Sequence, residues 1–166
     1  MPRSGHVFLD LSFSPEQAVV GSVRRFVIDF YERILDCREV ASRIGVATHE
    51  LVENAIKCSV DGEVHLRIEI ERGILTVRTR NRAAAVHLEA VRNLFHAIEQ
   101  DGGAAAHYAR LLGLVSKHRP GDGAARSGLG LTRIWVEADM ALSCEIAEDI
   151  VIVEARTCLH PKEEHP

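Results

Sequence analysis

His49-Glu50-Leu51-Val52-Glu53-Asn54-Ala55-Ile56-Lys57 is the stretch on which the reading of this chain turns. On a helix advancing 100° per residue, Glu50, Asn54 and Lys57 share one side at i, i+4 and i+7. Leu51, Ala55 and Ile56 continue an apolar stripe begun by Val40, Ile44 and Ala47, so a helix is expected over about Glu39 to Cys58. A carboxylate, an amide and an amine therefore line the rim of a core, where a cleft between helix and loops would open. A carboxylate there can orient or deprotonate a hydroxyl or water. An amide oxygen is a hard ligand suited to Mg²⁺, and a lysine one turn on can meet phosphate as a point charge. The blander alternative is a solvated helix flank. A zinc-protease reading of His49-Glu50 fails, because Glu53 stands where a second histidine is required.

Outward from this helix, apolar periodicity marks the other elements. Val7, Leu9, Leu11 and Phe13 alternate as a strand. Ser14, Pro15 and Gln17 read as a capped helix start, followed by an apolar stripe of Val19, Val23, Phe26, Val27, Phe30 and Ile34 that ends near Leu35. Gly45 weakens the second helix locally. Val64 to Glu71 and Ile74 to Arg80 alternate around Arg72-Gly73, a hairpin pattern. Helices are expected over about Val86 to Gln100, Ala104 to Lys117 and Leu129 to Ala138. Leu142 to Ala147 and Ile150 to Arg156 form a closing hairpin. The sum is an α+β, two-layer α/β sandwich: a mostly antiparallel mixed sheet with helices on one face.

Composition limits the function classes. The chain has 166 residues, 46% of them hydrophobic, and a net charge of −4. That is one domain, residues 1–160 with a polar tail at 161–166. Such a length buries roughly 70% of its unfolded surface without disulfides or metals. A mildly acidic chain is a poor non-specific nucleic-acid binder. No apolar run approaches the ~20 residues of a membrane helix, and Met1 to Asp10 lacks a signal-peptide core. A cytoplasmic protein with four free thiols is expected. The histidines offer no ligand pair at helical spacing.

A second motif, Ser127-Gly128-Leu129-Gly130-Leu131, opens the helix from Leu129. Glycines there allow backbone N–H groups to approach an anion. It is not a P-loop, since Leu129 replaces the required lysine after Gly123 and Gly128. It is not a dinucleotide fingerprint either, because a loop precedes it and Arg133 occupies the third small position.

Together, a helical Glu-x-x-x-Asn-Ala-x-Lys, a hairpin, a helical segment and a Gly-x-Gly-Leu opening a helix resemble the GHKL superfamily, the ATP-binding fold of histidine kinases, gyrase and anti-sigma-factor kinases. The likeness spans about Val19 to Arg156. It implies ATP and Mg²⁺ as cofactors, with Asn54 on the metal and Glu50 as general base. It places Lys57, Ser127, Gly128, Leu129 and Gly130 around the phosphates. The small size and the Arg80-Asn81 end of the hairpin look most like the SiaB-type branch, similar to anti-sigma-factor serine kinases. That branch implies a STAS-domain or sigma-regulatory protein partner and leaves a homodimer open. The chain departs from the superfamily where Asp-x-Gly-x-Gly is usual. Thr79 to Ala85 contains neither Asp nor Gly, and Asn81 is left to meet an adenine amino group. Replacing a charge-assisted hydrogen bond there costs roughly 1.5–3 kcal/mol. The alternative function is therefore a catalytically degenerate protein that regulates a partner by binding alone. Arg78, Arg80 and Arg82 read as outward residues of an edge strand.

Overall fold

A computed structural model describes residues 6–115 and 129–159. Five strands and five helices follow one another: β1 (Val7–Phe13), α1 (Val20–Leu35), α2 (Arg38–Cys58), β2 (Val64–Glu71), β3 (Ile74–Arg82), α3 (Ala85–Gln100), α4 (Ala104–Val115), α5 (Leu129–Ala138), β4 (Ala141–Ala147) and β5 (Ile150–Cys158). The strands form one sheet in the order β1-β2-β3-β5-β4. Every neighbouring pair is antiparallel, so the expected sandwich has a sheet without a parallel pair among the described residues.

Alternation in the strands fixes which face is covered. Val64, Leu66, Ile68, Leu75, Val77, Val151, Val153 and Ala155 are buried beneath the helices. The other face stays open and carries Arg78, Arg80 and Arg82. These arginines point outward as expected, but β3 is the central strand and not an edge. Periodicity reveals which face a residue occupies, not which strand lies beside it.

The β2–β3 turn has positive φ at both Arg72 (49°) and Gly73 (77°). Left-handed backbone at both central positions matches the right-handed twist of the flanking strands.

Helix α2 lies on β2 and β3 and is flanked by α1 and α5. Ten of its residues are buried, including Ile44, Ala47, Leu51, Ala55 and Ile56 of the expected stripe. On α1 the expected stripe is too broad. Phe26 and Ile34 remain 48% and 40% exposed, while Val20, Val27 and Tyr31 face the core. Tyr31 is fully buried and its hydroxyl donates to the Ile68 carbonyl oxygen at 3.0 Å, tying α1 to β2. The expected cap at Ser14 does not form. A short 3₁₀ turn at Gln17–Val19 precedes α1, and Glu16, not Ser14, occupies its N-cap position, without a side-chain cap hydrogen bond. The Gln17 amide reaches Glu53 on α2 instead, at 3.4 Å.

Gly45, a weak point in the sequence, is a packing device. A Cβ there would overlap the Ile28 side chain of α1. The two helices cross where only a hydrogen fits. Gly45→Ala is expected to lower stability by up to about 2 kcal/mol, since overpacking outweighs the gain of about 1 kcal/mol in helix propensity. Urea denaturation would show a lower midpoint at unchanged slope; a higher midpoint would mean that Ile28 yields freely.

Candidate functional site

Glu50 sits mid-way along α2 and is only 5% exposed. Its two oxygens have different neighbours. Oε1 accepts a hydrogen bond from Arg133 Nη1 at 2.7 Å. Oε2 lies against Gly130, so closely that an added Cβ would overlap it. Gly130 and Arg133 are three residues apart in α5 and therefore share a face. The fold thus brings the α2 motif and the glycine motif into direct contact across 80 positions of sequence.

Arg133 also grips Glu137 through Nε at 2.8 Å and Nη2 at 2.9 Å. This fork holds the Glu137 carboxyl below the usual range and pushes the guanidinium pKa further up, the Glu137 hydrogen bond being the largest cause. Glu50 behaves oppositely. Burial raises its pKa, and the opposing attractions of Arg133 and His49 do not cancel that rise. A carboxyl removed from water resists ionising, and one guanidinium shared with a second glutamate compensates incompletely. A cavity of about 80 Å³ adjoins it, lined by Arg24, Val46, His49, Glu50 and Arg133. His49 Nδ1 is buried here without a hydrogen-bond partner among the described residues.

A larger groove of about 490 Å³ runs beside the first turns of α2, between Arg38, Glu39, Ser42, Arg43, Val46 and Glu137. Arg43 donates to the carbonyl oxygens of Ala138 at 2.6 Å and Asp139 at 3.0 Å. A guanidinium at those carbonyls caps the C-terminal end of α5. Two arginines therefore join α2 and α5, Arg133 from the middle of the shorter helix and Arg43 at its C-terminal end.

The other expected site residues are placed as follows. Asn54 follows Glu50 by one turn, half-buried, with no hydrogen bond to its amide among the described residues. An amide oxygen is a hard donor of the type Mg²⁺ takes. Lys57 is exposed and paired with Glu53 at 3.1 Å. Asn81 is 4% exposed on the covered face of β3, its amide donating to the Arg82 carbonyl at 3.3 Å. Ala83 pairs with Ser59 just beyond α2, which sets Asn81 at the same end of the sandwich as Asn54 and Lys57. Leu129 and Gly130 open α5 as expected; Ser127 and Gly128 lie outside the described residues. Sequence reasoning missed Arg133. Its signal was the three-residue spacing from Gly130, which places it on the glycine face.

The four cysteines are free, and burial pushes the Cys144 thiol up to about 11. No group of three metal-ligating His, Cys, Asp or Glu side chains occurs among the described residues, and no helix there is long and apolar enough to cross a membrane.

No protein-family model and no curated protein sequence matches the chain. Among solved structures it is similar to a chain of the SiaB–SiaC complex from Pseudomonas aeruginosa, with a TM-score of 0.58 and 15% identity over 88% of both chains. At that identity the likeness shows a shared fold, a SiaB-like α/β sandwich.

The buried Glu50 sets a stability signature. Its folded-state pKa is raised, so its contribution is fully present below the unfolded-chain value and is lost as pH rises through the folded one. Glu50→Gln mimics the protonated acid at every pH. It should melt above the wild type at about pH 7.5, and the gap should close by about pH 4. A pH-independent gap would refute this assignment. Gly130→Ala should melt lower despite better helix propensity, because Glu50 must move; a melting point at or above wild type would show that the carboxylate shifts without strain.

Proposed function

We infer that this chain is an ATP- and Mg²⁺-dependent regulatory protein of the GHKL type, a protein serine/threonine kinase acting on a STAS-type or anti-sigma-antagonist partner in the cytoplasm. The observation that carries this reading is the meeting of Glu50 with Gly130: two motifs that the superfamily brings together around phosphate are in contact here. The SiaB-like fold supports a signalling role with a protein partner, since the neighbouring structure is itself an assembly of two proteins.

In this reading bound Mg-ATP supplies the phosphoryl group. Asn54 offers its amide oxygen to the cation, and Lys57 exchanges Glu53 for phosphate. Gly130, lacking a side chain, lets the first turn of α5 approach closely. Asn81 presents its side-chain oxygen to the adenine amino group. Glu50 orients the partner's hydroxyl and takes its proton. A carboxylate whose pKa is raised by burial is a stronger base than an exposed one.

A second reading, a non-enzymatic partner-binding regulator, is favoured by two observations. Asn81 carries no charge where the superfamily uses Asp. The cavity at Glu50, about 80 Å³ among the described residues, is well below the roughly 300–1,000 Å³ of a small-molecule site.

Calorimetry with Mg-ATP separates the two. Micromolar to submillimolar affinity is expected, lost in Asn54→Ala and nearly unchanged in Glu50→Ala, which should instead abolish phosphotransfer. No heat at millimolar Mg-ATP would defeat the kinase reading and leave the partner-binding one.

A further inference from the structure

Helix α2 has free surface in two places, and they lie on opposite sides of Glu50 along the helix. Arg38, Ser42, Val46, Glu50 and Asn54 recur every four residues, which sets them on one ridge. Beyond Glu50 that ridge carries Asn54, and Lys57 follows on the same flank. Before Glu50 it forms one wall of the groove of about 490 Å³. The groove and the smaller cavity at Glu50 both reach Val46, and the Arg133–Glu137 pair of α5 links their other walls. Glu50 itself accepts one hydrogen bond, at Oε1, and borders the cavity.

Phosphoryl transfer needs the attacking and leaving oxygens roughly in line. With nucleotide on the side of Asn54 and Lys57, a hydroxyl that meets Glu50 comes from the opposite side, which is the groove. The charges there select what enters. Arg24, Arg38, Arg43 and Arg133 outnumber Glu39, Glu50 and Glu137 around the two spaces, in a chain of net charge −4. Glu137 is already answered by the fork of Arg133. Arg38, at the far end, is exposed and forms no ion pair or side-chain hydrogen bond among the described residues. The first-turn N–H groups of α2 beside it have no side-chain cap, so the positive end of the helix dipole adds to its charge.

We propose that this groove is the docking surface for the hydroxyl-bearing segment of a protein partner, an extended acidic stretch laid along this ridge of α2 with its serine or threonine at Glu50. The direction of approach rests on the kinase reading above. Arg38 and Glu50 are twelve residues apart, ~18 Å along a helix. An extended chain covers that distance in five or six residues at about 3.3 Å each. The partner's acidic side chains therefore stand five or six positions from its hydroxyl.

The test is fluorescence anisotropy of two labelled peptides against the full chain, without nucleotide. Each has a central serine. One carries glutamates five and six positions away on both sides, and the other has lysines there. The glutamate peptide should bind about tenfold more tightly. Arg38→Glu should reverse that preference, while Arg156→Glu, which changes an exposed arginine on the open face of the sheet, should not. Equal affinities in the wild type, or an equal response to both substitutions, would overturn the groove. Ser42→Trp puts bulk into the groove from an exposed position and should weaken the glutamate peptide about tenfold. Unchanged affinity there is equally fatal. Adding Mg-ATP separates the groove from the reading it rests on. Serine phosphorylation that falls in Arg38→Glu supports both. Arg38-dependent binding without phosphorylation keeps the groove and defeats the kinase. Calorimetric Mg-ATP binding without Arg38-dependent peptide binding overturns the groove and keeps the nucleotide site.

Discussion

The structure depends on one helix having neighbours on three sides. Helix α2 lies on β2 and β3, meets α1 at Gly45 and meets α5 at Glu50. Ten of its 21 residues are buried, and its free surface is confined to the first turns, at Arg38, Glu39 and Ser42, and to the flank of Asn54 and Lys57. A helix so enclosed cannot rotate to relieve a buried carboxylate. The neighbours must supply the compensation, and α5 does so through Arg133. The covered site and the hydrophobic core are therefore consequences of the same packing.

The energetic balance at Glu50 is characteristic of a group placed for something other than stability. A buried ion pair recovers its desolvation only with good geometry and full hydrogen bonding. Arg133 has the geometry, but it divides itself between two glutamates and remains 43% exposed. A leucine or methionine at position 50 would satisfy the core with less conflict. Positions where local consistency is broken in this way are where function is to be sought. Gly130 strengthens the point, since an alanine would suit an α-helix better there.

Much of this was legible in the residues. Alternation located all five strands, and the hairpin turn at Arg72-Gly73 was visible as a glycine after a charged residue. The side of α2 that carries Glu50, Asn54 and Lys57 followed from helical spacing alone. What the sequence did not convey depended on other elements. Gly45 looked like a defect because Ile28 lies on another helix. Phe26 and Ile34 looked buried because their spacing fits a stripe wider than the face that α2 covers. Tyr31 was overlooked because its partner is a carbonyl oxygen of β2. Arg133 resembled any arginine on a polar helix face until α5 was set against Glu50. Each omission concerns a contact between distant segments, and periodicity within one segment holds no information on those.

The sheet order carries one more consequence. β3 and β5 are paired neighbours, yet everything from Ala84 to Glu148 lies between them in sequence. The excursion leaves and returns through a narrow neck: the Ala83 amide donates to the Asp149 carbonyl at 2.8 Å, and Arg82 bridges Asp61 and Asp149. Such a neck insulates the sheet from the length of what hangs beyond it, because doubling a closed loop adds only about 0.6 kcal/mol of entropy. α3, α4 and the segment that leads into α5 can thus diverge in length and composition while the barrel of contacts around α2 persists. A fold organised this way can change its clientele by rewriting one inserted passage and leave its foundation untouched.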